Sequence, residues 1–328
     1  MYPVVVHWAW CNQGWMNYGR IYGKKHLFGA GYIDFAGSGV VHMVGGLSGM
    51  VGCVMVGPRM GRFDSNGLPV DMPGHSATLV VLGTVLLWFG WYGFNPGSML
   101  NINSVFYADV VGRAAVTTTL SGAMGGITAL VSAALRNKAW DLVAVCNGVL
   151  VGFVTITAGC HVLEPWAALI VGGTGALIFD GVCWAFLKLK IDDPLSAAPM
   201  HGFTGMWGVF FVGLLAKQEY VFEAYGGSQH DASDSSLTQD QILAQYPFGL
   251  FYPNGGGRLL ASQVIGIICI FVWTVGLMFL FFGSFKLLGM LRISAEEEQA
   301  GLDVSKHGGS AYNYENALGK AGEKTPGL

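Results

Sequence analysis

Two histidines stand inside long uncharged runs, and their surroundings match. His42 lies in "DFAGSGVVHMVGGLSG" and His201 in "DPLSAAPMHGFTGMWG". Asp34 precedes the first histidine by eight residues, and Asp193 precedes the second by eight. Gly46 and Gly49 follow His42 by four and seven, as Gly205 and Gly208 follow His201. The pattern D-x7-H-x3-G-x2-G therefore occurs twice. A neutral imidazole offers one donor and one acceptor, and a low-dielectric setting favours that neutral form. Two imidazoles that meet can share a proton and present both functions to a small polar guest. One such histidine reads equally well as a hydrogen-bonded packing residue, but a matched pair in apolar runs points to a pathway or relay. On a helix, offsets of four and seven put each histidine and its glycines on one face. Such a face is built for close approach.

The elements that must position this pair are membrane helices. Of 328 residues, 52% are hydrophobic and 11% charged, against about 25% charged in soluble domains. The charges fall in short islands separated by apolar runs of about 20 residues, long enough to cross roughly 30 Å of hydrocarbon. Full spans are expected at about 38–57, 77–95, 106–135, 141–160, 165–187, 199–216 and 259–288, with a stub at about 1–10. Backbone groups in hydrocarbon must be satisfied within the segment, and no ten-residue alternation suggests a barrel. The fold class is thus an all-α integral membrane protein of seven full transmembrane helices plus the stub of an eighth. The 50 glycines suit close helix packing.

Lys/Arg bias orients the spans. Arg59, Arg62, Arg136, Lys138, Lys188, Lys190, Lys286 and Arg292 fall on one side. The opposite loops, around 96–105 and 161–164, have no Lys or Arg, and the 217–257 loop sets Lys217 against Glu219, Glu223, Asp231, Asp234 and Asp240. The acidic loop is then external and the tail cytoplasmic. Arg20, Lys24 and Lys25, in the 11–33 segment, are the exception. With this orientation the two histidine spans run in opposite directions, as in an inverted repeat with a site near the midplane. Residues 1–288 form the transmembrane domain and 289–328 a polar, Gly-rich tail, in which Ser294 and Glu297 make a capping box.

Several classes are disfavoured. A net charge of −3 gives no footprint for nucleic acid. The six cysteines show no CxxC spacing and lie mostly in apolar runs, as small hydrophobes. Two histidines without a third ligand make a poor metal centre, so no metal, cofactor or enzymatic activity is expected. Asp180 and Arg113, each within a span, read as structural polar contacts.

These motifs resemble the ammonium transporter/methylammonium permease/Rhesus family over essentially the whole chain. "GPRMGRFD", "LWFGWYGFNPGS", "NGVLVGFVTITAGC" and "RISAEEEQAGLDVSKHGGSAY" are similar to the type-1 transporters of plants and algae in particular. The resemblance implies the ammonium-transporter fold with inverted-repeat helices, and His42 and His201 as the twin histidines of a pore. It implies an outer cation site at Trp10 and Ser98, supported by Asp34, with Asp193 as the inverted counterpart of that carboxylate. Phe94 matches one of two gate phenylalanines. Ammonium, or methylammonium, would be recruited, deprotonated and passed as ammonia between the histidines.

The resemblance further implies a homotrimer in the plasma membrane whose tail docks on the next subunit. Ser305 stands at a regulatory phosphosite, a serine where threonine is common. The family has eleven spans, and this chain begins in what resembles the end of the fourth. A Rhesus-like gas channel and an ammonium sensor that does not transport are the alternatives. The Trp10–Ser98 site and the type-1 tail argue against the gas channel.

Overall fold

The computed structural model describes residues 1–18, 27–225 and 246–309. Arg20, Lys24, Lys25, the acidic residues Asp231, Asp234 and Asp240, and the tail beyond 309 lie outside the described residues. The chain order is α1 Tyr2–Trp10, α2 Ser38–Val56, α3 Ala77–Phe94, α4 Val105–Asn137, α5 Leu142–Ile156, α6 Pro165–Lys188, α7 Ala198–Leu215, α8 Gln218–Tyr225, α9 Arg258–Leu287, α10 Ala295–Ala300 and α11 Leu302–Lys306. A 3-10 turn, Pro96–Met99, extends α3. Ser76, Ser104 and Asp141 cap α3, α4 and α5 by accepting a backbone N–H from three residues on, which satisfies one orphan donor at each helix start.

Six helices among the described residues are long and apolar enough to cross a membrane: α2, α3, α4, α6, α7 and α9. The expected span at 141–160 departs from this. Its helix, α5, is Leu142–Ile156, 15 residues or about 22 Å. The cause is competition for its last carbonyls. Thr157 and Ala158 give theirs to the N–H groups of Ala36 and Phe35 (3.2 and 3.1 Å), and Cys160 gives its carbonyl to Thr117 Oγ1 at 2.6 Å. Residues 157–162 are thus an irregular turn, with the carbonyls of Thr157, Ala158 and Cys160 taken by donors from other parts of the chain.

The largest buried cluster lies where α1, α2, α7 and α9 meet, and a second joins α4, α5, α6 and α7. Of α7, 67% is buried inside the molecule, against 11% and 17% of the apolar 18-residue stretches of α3 and α9, so α7 is central and the other two present apolar outer faces. Ser38 pins α2 to α5: its Oγ donates to the Val154 carbonyl and accepts from Ala158 N–H, both at 2.7 Å. Gln263 of α9, fully buried, accepts from Ile33 N–H (2.8 Å) and donates to the carbonyls of Ile33 (2.7 Å) and Val209 (3.0 Å). Helices α4 and α5 touch through glycine: a Cβ on Gly148 would sit 2.5 Å from Ala129 Cβ.

Asp180 and Arg113 make the structural contacts expected of them. Asp180 Oδ2 accepts from Ser132 and pairs with Arg136; Arg113 donates to the His161 carbonyl at 2.7 Å and pairs with Glu223. Cys146 and Cys160 are buried, while Cys11, Cys53, Cys183 and Cys269 are half-buried. The capping box at Ser294 is formed in full.

Candidate functional site

Both histidine helices open in the same unusual way. Ser38–Met43 and Ala198–Phe203 are single π-helical turns that lead into the α-helical parts of α2 and α7. Such turns widen the helix and displace side chains from the α-helical register. In each, the aspartate of the repeated pattern holds the entry. Asp34 Oδ2 accepts the N–H groups of Gly39 (3.0 Å) and Val40 (2.8 Å), and Asp193 Oδ2 accepts that of Ala198 (2.7 Å). Gly39 and Ala198 both stand five residues after their aspartate. Gly37 turns the chain into the first copy with φ 105°, where a Cβ would lie 2.6 Å from Val41 Cγ2.

The glycines mark where the copies cross. A Cβ on Gly46 would fall 2.6 Å from Gly202 Cα, and one on Gly205 would fall 2.5 Å from the Ser38 carbonyl. A Cβ on Gly208 would lie 3.0 Å from Ser38 Oγ. The start of α2 thus meets the later part of α7, and the later part of α2 meets the start of α7. The two copies cross antiparallel. Gly49 departs from the pattern: nothing lies within 4 Å of its Cβ position, so the close-approach reading does not extend to it.

At the crossing, the His42 and His201 rings are 5.2 Å apart between centroids, with planes 16° from parallel. His42 Nε2 and His201 Nδ1 are buried and have no hydrogen-bond partner. The rings line a chamber of about 410 Å³ together with Leu86, Leu87, Gly90, Trp91, Phe94 and Leu150, none of which carries a charge. Trp91 and Phe94 each place their ring centroid 5.4 Å from that of His42.

A second cavity of about 370 Å³ is lined by Trp10, Asp34, Phe35, Ser98 and Tyr225, among others. Trp10 is fixed by an Nε1–H bond to the Asp34 carbonyl at 2.6 Å. Ser98 donates its proton to the Phe94 carbonyl at 2.6 Å, which leaves the oxygen lone pairs as acceptors. The Asp34 carboxylate is 4% exposed, and its Oδ1 is buried without a partner. Phe94 and Ser98 are four residues apart at the end of α3, so one short stretch of chain serves both cavities.

Trp10, Ser98 and Asp34 are therefore gathered in one cavity and His42, His201 and Phe94 in the other. Asp193 lines neither; it holds the start of α7. Ser305 lies on α11, its Oγ donating to the Gly301 carbonyl at 2.9 Å. The sequence reading missed Trp91, whose Nε1 reaches Thr157 Oγ1 at 3.3 Å. Its signal was its place three residues before Phe94, on the same helix face. Also missed was His161, which is fully buried with Phe35 stacked on it at 4.1 Å.

Ion pairs fasten the loops around this assembly. Lys217 and Tyr252 hold the Glu164 carboxyl below its ordinary value through hydrogen bonds of 2.8 Å each. On the other face, burial raises the Asp192 carboxyl, but Arg59 and Arg62 outweigh that and leave it below the usual value.

The sequence profile of the Ammonium Transporter Family matches residues 1–312. Ammonium transporter 1 member 2 of Arabidopsis thaliana is 50% identical over 323 residues, covering 96% of this chain and 59% of that protein. Ammonium transporter 1 member 1 of Oryza sativa subsp. japonica is 49% identical over 322 residues, 96% of this chain and 61% of its own. The chain thus spans about three-fifths of the length of these relatives. Among solved structures, a Sensor Amt Protein superposes with TM-score 0.73 at 33% identity, over 93% of this chain and 66% of that one. Mep2 of Candida albicans does so with TM-score 0.72 at 26% identity, over 90% of this chain and 58% of that one. The chain is a multi-pass membrane protein and belongs to the ammonium transporter family.

Proposed function

We propose that the protein moves ammonium across a membrane: the ion is recruited in the Trp10 cavity, deprotonated, and passed as ammonia through the His42–His201 chamber. The observation that carries this reading is a pair of cavities on one short stretch of chain, Ser98 lining the one that is cation-binding in chemistry and Phe94 the one that is uncharged. A monovalent cation over the Trp10 face gains about 0.5–2 kcal/mol. The Ser98 lone pairs and the buried Asp34 carboxylate add acceptors and negative charge. Beyond Phe94 no charged side chain lines the way, so an ion would lose its hydration without replacement. Ammonia, by contrast, can donate to or accept from the free nitrogens His42 Nε2 and His201 Nδ1. The proton would take a separate route along the histidine pair. Methylammonium fits the same chemistry.

Extending the family's pattern, we propose a homotrimer in the plasma membrane, with the tail after 288 cytoplasmic and regulatory. The contacts seen for that tail are within the chain: Glu298 accepts Met60 N–H at 2.7 Å, and Arg292 reaches the Val56 carbonyl at 3.3 Å. Phosphorylation of Ser305 would place about two negative charges beside Asp303 and the Lys306–Glu297 pair, weakening this dock. A second reading is ammonium sensing without transport, favoured by the 33% identity to a protein named as a sensor.

Currents in oocytes expressing the gene product that contains this chain separate the readings. Transport predicts an ammonium-evoked inward current that falls by at least tenfold in His42→Ala and His201→Ala. Electroneutral ammonia flux would point instead to a gas channel, and binding without flux to a sensor.

A further inference from the structure

The cavity at Trp10 has a back wall that the ammonium reading does not use. Tyr225, at the end of α8, lines it beside Asp34 and Ser98. The Tyr225 hydroxyl is 2.9 Å from His161 Nε2, and the two rings meet at 81°. A face of the imidazole is covered by Phe35, stacked at 4.1 Å and 16°, and Phe35 also lines the cavity. His161 thus contacts two lining residues without entering the cavity itself.

The rest of its surroundings fix it in place. Arg113 donates to the His161 carbonyl, pairs with Glu223 on α8, and lays its guanidinium 3.6 Å from the centre of the Tyr220 ring. The helix that carries Tyr225 is therefore clamped to the turn that carries His161. His161 Nδ1 is buried without a partner. A buried N–H without an acceptor is rarer than a buried bare acceptor, which puts the proton on Nε2, pointing at Tyr225.

From this geometry we infer that His161 is a positioning residue for cation selectivity in the outer cavity: it holds the Tyr225 hydroxyl oxygen as a fixed polar wall of the site. The inference rests on the cation-binding reading of that cavity. His161 Nε2–H donates to one lone pair of the phenol and locks its ring orientation; the other lone pair remains for a guest. A compact cation such as ammonium can use that oxygen together with Ser98. Methylammonium carries a methyl group that a rigid wall crowds, so it binds more weakly than ammonium, and a loosened Tyr225 would lower discrimination between the two.

The test is calorimetric titration of the purified protein in detergent with ammonium chloride and methylammonium chloride, against matched sodium chloride. In Tyr225→Phe the affinity for ammonium should fall by about tenfold, the usual effect of losing a hydrogen bond to a charged group. His161→Phe should lower the ammonium-to-methylammonium affinity ratio several-fold. His161→Gln, which can present an N–H to Tyr225, should restore that ratio. Tyr225→Phe, which deletes one oxygen and keeps the ring, serves as the informative variant if His161→Phe does not fold. Equal affinities and ratios in wild type, Tyr225→Phe and His161→Phe would overturn the inference and leave the outer cation site standing. Absence of ammonium binding in wild type would overturn both.

Discussion

Asp34 does two things at once, and they can be pulled apart. One oxygen holds the π-turn that presents His42, through Gly39 and Val40; the other is buried and free. Asp34→Asn keeps an oxygen for the turn and removes the charge. It should cost little stability and lower ammonium affinity. Asp34→Ala removes both functions, leaving two backbone donors unmet, and should destabilise by about 2–4 kcal/mol at roughly 1–2 per donor. Thermal unfolding in detergent beside ammonium titration checks both; a stable Asp34→Ala protein would show that the turn needs no carboxylate. The histidines were legible in the sequence because an ionisable group in an apolar run is costly and its neighbours recur at fixed offsets. Trp91 was not, because an aromatic residue in an apolar helix reads the same whether it faces lipid, core or chamber. Only the fold brings it against His42.

Among the helices, spacing proved a better guide than composition. The apolar runs located the long helices to within a few residues, since the cost of burying backbone in lipid leaves few alternatives. In the run at 141–160 the helix stops at Ile156, which hydropathy does not reveal, because the carbonyls that follow are claimed by Phe35, Ala36 and Thr117. Glycine positions make a sharp comparison. Gly46→Ala should destabilise by about 2 kcal/mol or more, since its methyl meets the α7 backbone. Gly49→Ala, with open space at its Cβ, should be neutral or gain up to about 1 kcal/mol from helix propensity. Equal melting temperatures for the two variants would refute the antiparallel crossing at Gly46. Gln263 extends the argument to α9: Gln263→Leu would strand the Ile33 N–H and carbonyls at the core. That should lower stability by about 2–3 kcal/mol, with loss of the Trp10 cavity ahead of global unfolding.

For the molecule as a whole, the question is what keeps two antiparallel copies in register at the end far from Trp10. The aspartates at 192 and 193 divide that work. Asp193 opens α7, while Asp192 receives Arg59 through its backbone N–H, Nε and Nη2 at 2.7–3.0 Å, and Arg62 Nε at 3.2 Å. The segment after α2 is thereby tied to the segment before α7, and the same stretch of chain receives Glu298 from the tail at Met60. The Asp192 side chain is 2% exposed, but Arg59 keeps 40%, so Asp192→Asn should cost about 2 kcal/mol at neutral pH, less than for a fully buried pair. The pH dependence follows from the carboxyl being held below its usual value of 3.8. A depressed folded-state pKa means that the unfolded chain binds the proton first as pH falls. The stability from this clamp is therefore complete above that usual value and is lost as pH drops through the lower, folded one. The difference in melting temperature between wild type and Asp192→Asn should stay constant from neutral pH to about 5 and then shrink toward zero in stronger acid. A difference that persists undiminished to pH values well below 3.8 would show that the clamp acts by shape rather than by charge. A difference that shrinks already at neutral pH would place the responsible group elsewhere, outside the Arg59–Asp192–Arg62 cluster.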